Sequence, residues 1–245
     1  MKQHRSKRPP IGEPGEAKEA RRQEILSAAA RLLATYGYHG MAMRDLARAT
    51  GTSLANLYNY FSSKDDLVFA LQTRAFDTLI STAGQAVAGL EGAEARLYAF
   101  ILNHVRYMTT HGDVARVLVE EAGELPPRRR RAVRELKERY FGMAREIVVA
   151  VNTAGCGVPG AVPAGAQETT EVDRSTYNIF GMLNWVYGWY DAGRHGSPQE
   201  VARSIHRIAL CGLVARCPSS MVVADMERRV GTARVPSPVA LLSEA

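Results

Sequence analysis

The sequence predicts an all-α protein of about nine helices, in which a small N-terminal three-helix unit leads into a larger helical body. Three observations carry that prediction. Apolar residues recur every three or four positions in each patterned stretch, and no stretch alternates as a strand does. Glycines and prolines fall between the patterned stretches, at Gly37, Gly51, Gly92, Gly112, Pro126-Pro127 and Pro198, where helices stop and start. Finally, two short helices flank Gly51, the spacing of a helix-turn-helix.

The elements follow in order. From Ala17 to Tyr36, Ile25, Ala29, Leu32 and Leu33 share one face, with Arg21, Arg22, Glu24 and Arg31 elsewhere, and Gly37 ends the helix. A second helix spans Met43 to Thr50 and turns Leu46 and Ala47 inward. Thr52 or Ser53 caps a third, through Leu54, Leu57, Tyr58 and Phe61. Ser63, three residues before Asp66, opens a long helix from Lys64 to about Ala86 in the manner of a capping box. Further helices run from about Ala93 to Thr110, Asp113 to Glu121, Pro127 to Val151, Val172 to about Asp191 and Pro198 to about Arg216. Residues 152–170, rich in Gly, Ala and Pro, read as a loop. The domain boundaries that follow are a basic flexible arm over 1–16, a helix-turn-helix domain over 17–63, a helical body over 64–217 and a flexible tail over 218–245.

A chain of 245 residues with 46% hydrophobic and 23% charged residues is long enough to bury a core and has the usage of an ordinary globular protein. No apolar run approaches the length of a membrane span, and the opening MKQHRSKRPP has no apolar segment behind it, so a cytoplasmic protein without membrane partners is expected. Three cysteines, Cys156, Cys211 and Cys217, form no CxxC pair and suit free thiols in a reducing compartment. The net charge of +6 is uneven: residues 1–60 carry 10 Lys and Arg against 5 Asp and Glu, while the remainder is nearly balanced. A basic arm on a basic small domain attracts polyanions, nucleic acid first.

The segment TSLANLYNYF suits a helix that enters the major groove. Leu57 and Phe61, four apart, face inward with Leu54, which leaves Thr52, Ser53, Ala55, Asn56 and Asn59 outward. The amides of Asn56 and Asn59 match adenine edges, and Ala55 fits against a thymine methyl. The hydroxyls of Thr52, Ser53 and Tyr58 can hold phosphates, with Tyr60 beside them. Lys64 pairs a cation with the free N–H groups of a helix start, and Arg44 is a further phosphate or minor-groove candidate. Each of these taken alone is equally at home as a surface polar group.

Taken whole, RRQEILSAAARLLATYGYHGMAMRDLARATGTSLANLYNYFSSKDDL, residues 21–67, resembles the DNA-binding domain of the TetR family of bacterial transcriptional regulators. The resemblance lies in the first helix ending at TYGY, in RDLARATG and in LYNYFSSKDDL, in that order and spacing. It implies a homodimeric, ligand-responsive binder of operator DNA, usually a repressor, in which Tyr58 and Lys64 touch phosphates. One departure is visible: the family often places Thr or Ser just before the second helix, where this chain has Met41-Ala42.

In the body, IFGMLNWVYGWYDAG is apolar on nearly every side and requires cover from more than one direction. With Val201, Ile205, Ile208, Ala209, Gly212 and Leu213 on the last helix, it predicts a four-helix dimer interface that includes Phe180, Ile205, Ile208 and Gly212. Trp185, Tyr187, Trp189 and Tyr190 gather both tryptophans into one short run, suited to packing or to lining a small-molecule pocket with His104, Tyr107 and Met108. The run NWVYGWYDAGRHGSPQEVA resembles a branch of the family that represses lipid-catabolism genes and binds acyl-CoA thioesters. That resemblance implies an apolar pocket with cations at its mouth, for which Arg128 to Arg131 is the visible cluster. An antibiotic or other aromatic or cationic effector is the alternative, and a helical scaffold without DNA binding a further one. Enzymatic motifs are absent: there is no HExxH, GxSxG or GKS/GKT, no metal set among the six histidines, and no cofactor is implied.

Overall fold

The computed structural model describes residues 14–120, 125–154 and 169–214, all of whose regular structure is helical. In chain order the helices are α1 (Pro14–Gly40), α2 (Met43–Ala49), α3 (Leu54–Tyr58), α4 (Lys64–Val87), α5 (Ala93–Thr110), α6 (Gly112–Glu120), α7 (Pro127–Ala154), α8 (Thr169–Asn184), α9 (Val186–Trp189), α10 (Ala192–His195) and α11 (Pro198–Val214). The start of the basic arm, most of the Gly-rich loop and the C-terminal tail lie outside the described residues, as do Cys156 and Cys217. No helix among the described residues is long and apolar enough to cross a membrane.

The N-terminal unit is held by one apolar knot. Ile25, Ala29 and Leu33 of α1 meet Met41, Leu46 of α2, Leu57 of α3 and Phe61, all buried. Gly37, with φ +69°, breaks α1 where the sequence places its end, and a last turn reaches Gly40. Gly51, with φ +60°, turns the chain between α2 and α3, a conformation that glycine adopts without the Cβ penalty. The Ser53 hydroxyl caps α3 by accepting from Asn56 N at 3.1 Å. At α4 the Ser63 hydroxyl accepts from Asp66 N at 3.0 Å, and the Asp66 carboxylate accepts from Ser62 N, so the reciprocal bond lands one residue earlier than in a capping box. Ala42 stands at the N-cap of α2 and gives no side-chain cap, as its sequence departure from the family implies.

The body packs around α4, α5 and α7, with α8 against α7 and α11 against α5. Its core is Leu79 and Ala83 of α4, Leu97, Phe100 and Ile101 of α5, Val148 and Val151 of α7, and Ile179 and Leu183 of α8. α6 packs on α1 and touches α4, so it bridges the two parts: Arg116 Nη1 donates to Ala34 O of α1 at 3.1 Å.

Two differences from the sequence pattern lie at helix ends. The helix expected to run to Asp191 stops at Asn184, then resumes for single turns at α9 and α10. Trp185, NWVYGWY's first tryptophan, occupies the junction with ψ −5°, and Asp191 caps α10 by accepting from Arg194 N at 2.9 Å. An apolar run carries no mark of where a long helix bends. α7 also continues to Ala154, so it runs a little further into the Gly-rich stretch than Val151.

Candidate nucleic-acid interface and effector cavity

Leu57 is buried and Leu54 half-buried against the head, which leaves Ser53, Ala55, Asn56, Tyr58 and Asn59 exposed on the outer side of α3. Arg44 is exposed at the start of α2. Together they make one polar surface around a short helix standing proud of its domain. Within it, the Asn56 amide donates to Thr52 Oγ1 at 2.9 Å, which sets the rotamer of a base-reading candidate. Thr52 is half-buried. Tyr60 is half-buried and packs on the core, so its ring serves the domain's interior more than its outer face.

Lys64 is differently engaged from its sequence picture of a free cation at a helix start. Its Nζ donates to Tyr38 O at 2.6 Å and Met41 O at 3.1 Å, and sits 4.3 Å from the Tyr38 ring centroid. The Tyr38 hydroxyl in turn donates to Asp65. Lys64 therefore fastens the last turn of α1 to the start of α4, using the carbonyls that a helix end leaves unpaired.

In the body a cavity of about 520 Å³ lies between α4, α5, α6, α7 and α8. Phe76 and Leu79 come from α4, His104 and Met108 from α5, Leu118 and Val119 from α6, Tyr140 and Phe141 from α7, and Tyr177, Phe180 and Asn184 from α8. Its wall is an aromatic nest: the Phe100 and Tyr140 rings stack at 5.0 Å, Phe180 stands edge-on to Phe100, and Tyr177 leans on Phe141 at 4.5 Å. One side carries charge, with Arg134, Lys137 and Glu138 lining it.

Two polar groups meet in the wall. His104, 1% exposed, places Nδ1 3.1 Å from the Tyr140 hydroxyl, and its Nε2 is buried without a partner. Burial disfavours the imidazolium and pushes His104 down to about 3, so the ring is neutral at physiological pH. The same desolvation raises the Tyr140 and Tyr107 phenols and lowers the half-buried Lys137 ammonium.

Of the pocket residues read from sequence, His104 and Met108 line the cavity. Tyr107 does not: it turns to His111, ring centroids 4.8 Å apart. Trp185, Tyr187 and Trp189 do not either. The α8 break sends them outward, leaving Trp185 59% and Trp189 41% exposed, while Tyr187 donates to Glu120 at 3.0 Å. Two interface residues are also reassigned. Phe180 points into the cavity, and Ile205 is buried within its own subunit on the α11 side that packs against α5. Ile208 and Gly212 of α11 are exposed.

The cations at the cavity are Arg134 and Lys137, one turn beyond the Arg128–Arg131 cluster. Arg129 pairs with Asp66 and Arg131 with Glu135 instead. A signal existed in the sequence: Arg134, Lys137, Glu138 and Phe141 recur at helical spacing and place charge on the stripe that also carries an aromatic. Phe76 and Leu79 carried none, since core positions of α4 look alike until the neighbouring helices are placed.

Comparison with known proteins agrees with this architecture. Residues 25–71 match the model of bacterial regulatory proteins of the tetR family, and residues 91–213 match that of the tetracyclin repressor-like C-terminal domain. The HTH-type transcriptional repressor KstR2 of Rhodococcus jostii is 25% identical over 209 residues, 84% of this chain and 98% of its own. A TetR-family transcriptional regulator from Bordetella parapertussis superposes with TM-score 0.70 at 26% identity, over 77% of this chain and 93% of that one. AibR, solved in complex with isovaleryl coenzyme A and operator DNA, shares the fold with TM-score 0.65 at 21% identity, over 77% of this chain and 97% of its own. These are regulators of transcription and not enzymes. The helix-turn-helix head and the helical body are each matched in their own place, and the chain belongs to the tetR family of bacterial regulatory proteins.

Proposed function

We propose that this chain is a repressor that binds a near-palindromic operator duplex as a homodimer and leaves it when a small hydrophobic effector, such as an acyl-CoA, fills the central cavity. The observation that carries the reading is the double duty of α4. Its first turn is tied to the head through Lys64 and Asp65, and Phe76 and Leu79 of the same helix line the cavity. A ligand that moves those side chains moves the helix on which the head stands, and linkage then requires DNA to weaken ligand binding by the same factor.

A homodimer is supported by the outer side of α8, α9 and α11. Trp185, Trp189 and Ile208 are large, apolar and exposed, and Gly181 and Gly212 offer open space where a helix can approach closely. Two heads related by a two-fold axis suit two half-sites. On DNA, Arg44, Thr52, Ser53 and Tyr58 would hold phosphates while Ala55, Asn56 and Asn59 meet bases. Lys64, already bonded to two carbonyls, would reach a phosphate only at the edge of that surface.

An acyl thioester fits an apolar cavity with cations on one side, and AibR, a protein of this fold, is known with isovaleryl coenzyme A. Two cations against the single carboxylate of Glu138 disfavour the cationic drugs of the alternative reading. A thermal-shift screen of CoA thioesters against cationic aromatic drugs tests this. A ligand at about 100 times its Kd adds roughly 2.7 kcal/mol, and the thioesters should give that shift. A shift by the cationic compounds alone would discard the acyl-CoA reading.

A further inference from the structure

The cavity is polar at only a few points, and they differ in depth. His104 is 1% exposed and leaves Nε2 without a partner. Lys137 is half-buried, lies 5.8 Å from the Phe76 ring centroid and has no ion-pair partner among the described residues. Arg134 is exposed. A buried, unsatisfied imidazole nitrogen is costly to keep in an apolar wall, and so is a desolvated ammonium without an anion. Both costs are relieved by one ligand that brings an oxygen to the first and a negative charge to the second.

We propose that the cavity takes a hydrophobic anion in a fixed orientation: its apolar part lies against Phe76, Leu79, Met108 and Phe180, an oxygen of that part meets His104 Nε2 at the buried end, and its anionic group rests at Lys137 and Arg134 towards solvent. Tyr140 is the positioning residue. Its hydroxyl, 3.1 Å from His104 Nδ1, and its ring, stacked on the imidazole at 5.7 Å, hold the ring plane and fix which nitrogen faces the ligand. Burial keeps His104 neutral, so it contributes a directional hydrogen bond and not a second charge. Free carboxylic acids and CoA thioesters whose apolar part carries a hydroxyl or keto oxygen share this chemistry. The inference rests on the cavity being the effector site, but it concerns what the site recognises, not what recognition does to DNA.

The test is calorimetric titration of the full chain with decanoic acid, decanoyl-CoA and 1-decanol, and with 10-hydroxydecanoic acid for the oxygen at the buried end. The parent protein should bind at least one of the two anions about tenfold or more tightly than the alcohol, and which anion binds identifies the source. Lys137→Gln should lose about tenfold for that anion with no comparable loss for 1-decanol, and Lys137→Arg should recover it. His104→Leu should weaken 10-hydroxydecanoate, whose apolar end carries an oxygen, about tenfold with no comparable loss for decanoate, with His104→Gln, which keeps a hydrogen-bonding amide, in between. Circular-dichroism melts verify that each variant is folded, and the Lys137 pair stands if His104→Leu is not. Equal binding of 1-decanol and both anions, unchanged anion binding by folded Lys137→Gln, or unchanged binding of 10-hydroxydecanoate by folded His104→Leu, would overturn the proposal. Anion binding that obeys these expectations but leaves operator affinity untouched would support this inference and remove the regulatory reading.

Discussion

Arg129, in the first turn of α7, holds Asp66, in the first turn of α4: guanidinium Nη2 lies 3.1 Å from carboxylate Oδ1. The other carboxylate oxygen accepts from the Ser62 N–H and hydroxyl. One side chain thus joins the start of α7, the start of α4 and the end of the head. Because α7 also supplies Arg134, Lys137 and Tyr140 to the cavity, it offers a second route, beside α4 itself, by which the cavity's state reaches the DNA-binding unit.

A double-mutant cycle on Arg129→Gln and Asp66→Asn, measured by urea unfolding, should return a coupling of about 0.5–1 kcal/mol, the range of partly exposed ion pairs. The coupling should shrink in high salt. A cycle that closes at zero at low salt would show that the contact does not join the helices energetically.

Gly51 isolates a backbone effect, because a Cβ added there meets nothing within 4 Å while φ is +60°. Gly51→Ala should cost the protein about 1 kcal/mol, seen as a lower urea midpoint, with Gly51→Asn losing less. Equal stability of Gly51→Ala and parent would mean that the turn between α2 and α3 is not held in this conformation.

On operator DNA, Arg44→Ala should reduce the slope of log affinity on log salt by about 1 and weaken all duplexes alike. Asn56→Ala should instead cost about 1–3 kcal/mol on the preferred sequence and little on unrelated duplexes. Interchanged behaviour of the two variants would reverse the assignment of phosphate and base contacts.

His104 makes stability pH-dependent. Its folded pKa is lowered from 6.5 to about 3, so across that window the unfolded chain binds the extra proton and stability falls as pH falls. Above the unfolded value the contribution is complete and flat. Between pH 7 and pH 5 the parent should lose about 2 kcal/mol more than His104→Leu in urea melts. Equal losses would place a protonated imidazole in the folded cavity.

The head was legible in the sequence because local chemistry determines it. Gly37 and Gly51 sit where positive φ is needed, Ser53 and Ser63 cap as their positions suggest, and Leu57 and Phe61 go inward as their spacing requires. The body was legible as helices but not as neighbours. Phe180 and Ile205 have the pattern of interface residues, and only packing shows one facing the cavity and the other its own subunit. The aromatic run 185–190 could not be placed for a related reason: its composition suits packing and a pocket alike, and the bend at Trp185 leaves Trp185 and Trp189 exposed with Tyr187 and Tyr190 half-buried against the core. Lys64 shows the converse, a charge whose nearest partners are two carbonyls distant in sequence.

The most direct test is the operator affinity of the full chain under effector titration. An operator duplex selected from random sequence would be labelled and followed by fluorescence anisotropy at fixed salt as decanoyl-CoA is added. Affinity should fall by about 5- to 150-fold, the range of a coupling of about 1–3 kcal/mol. Unchanged operator affinity at ester concentrations that saturate the cavity would contradict it.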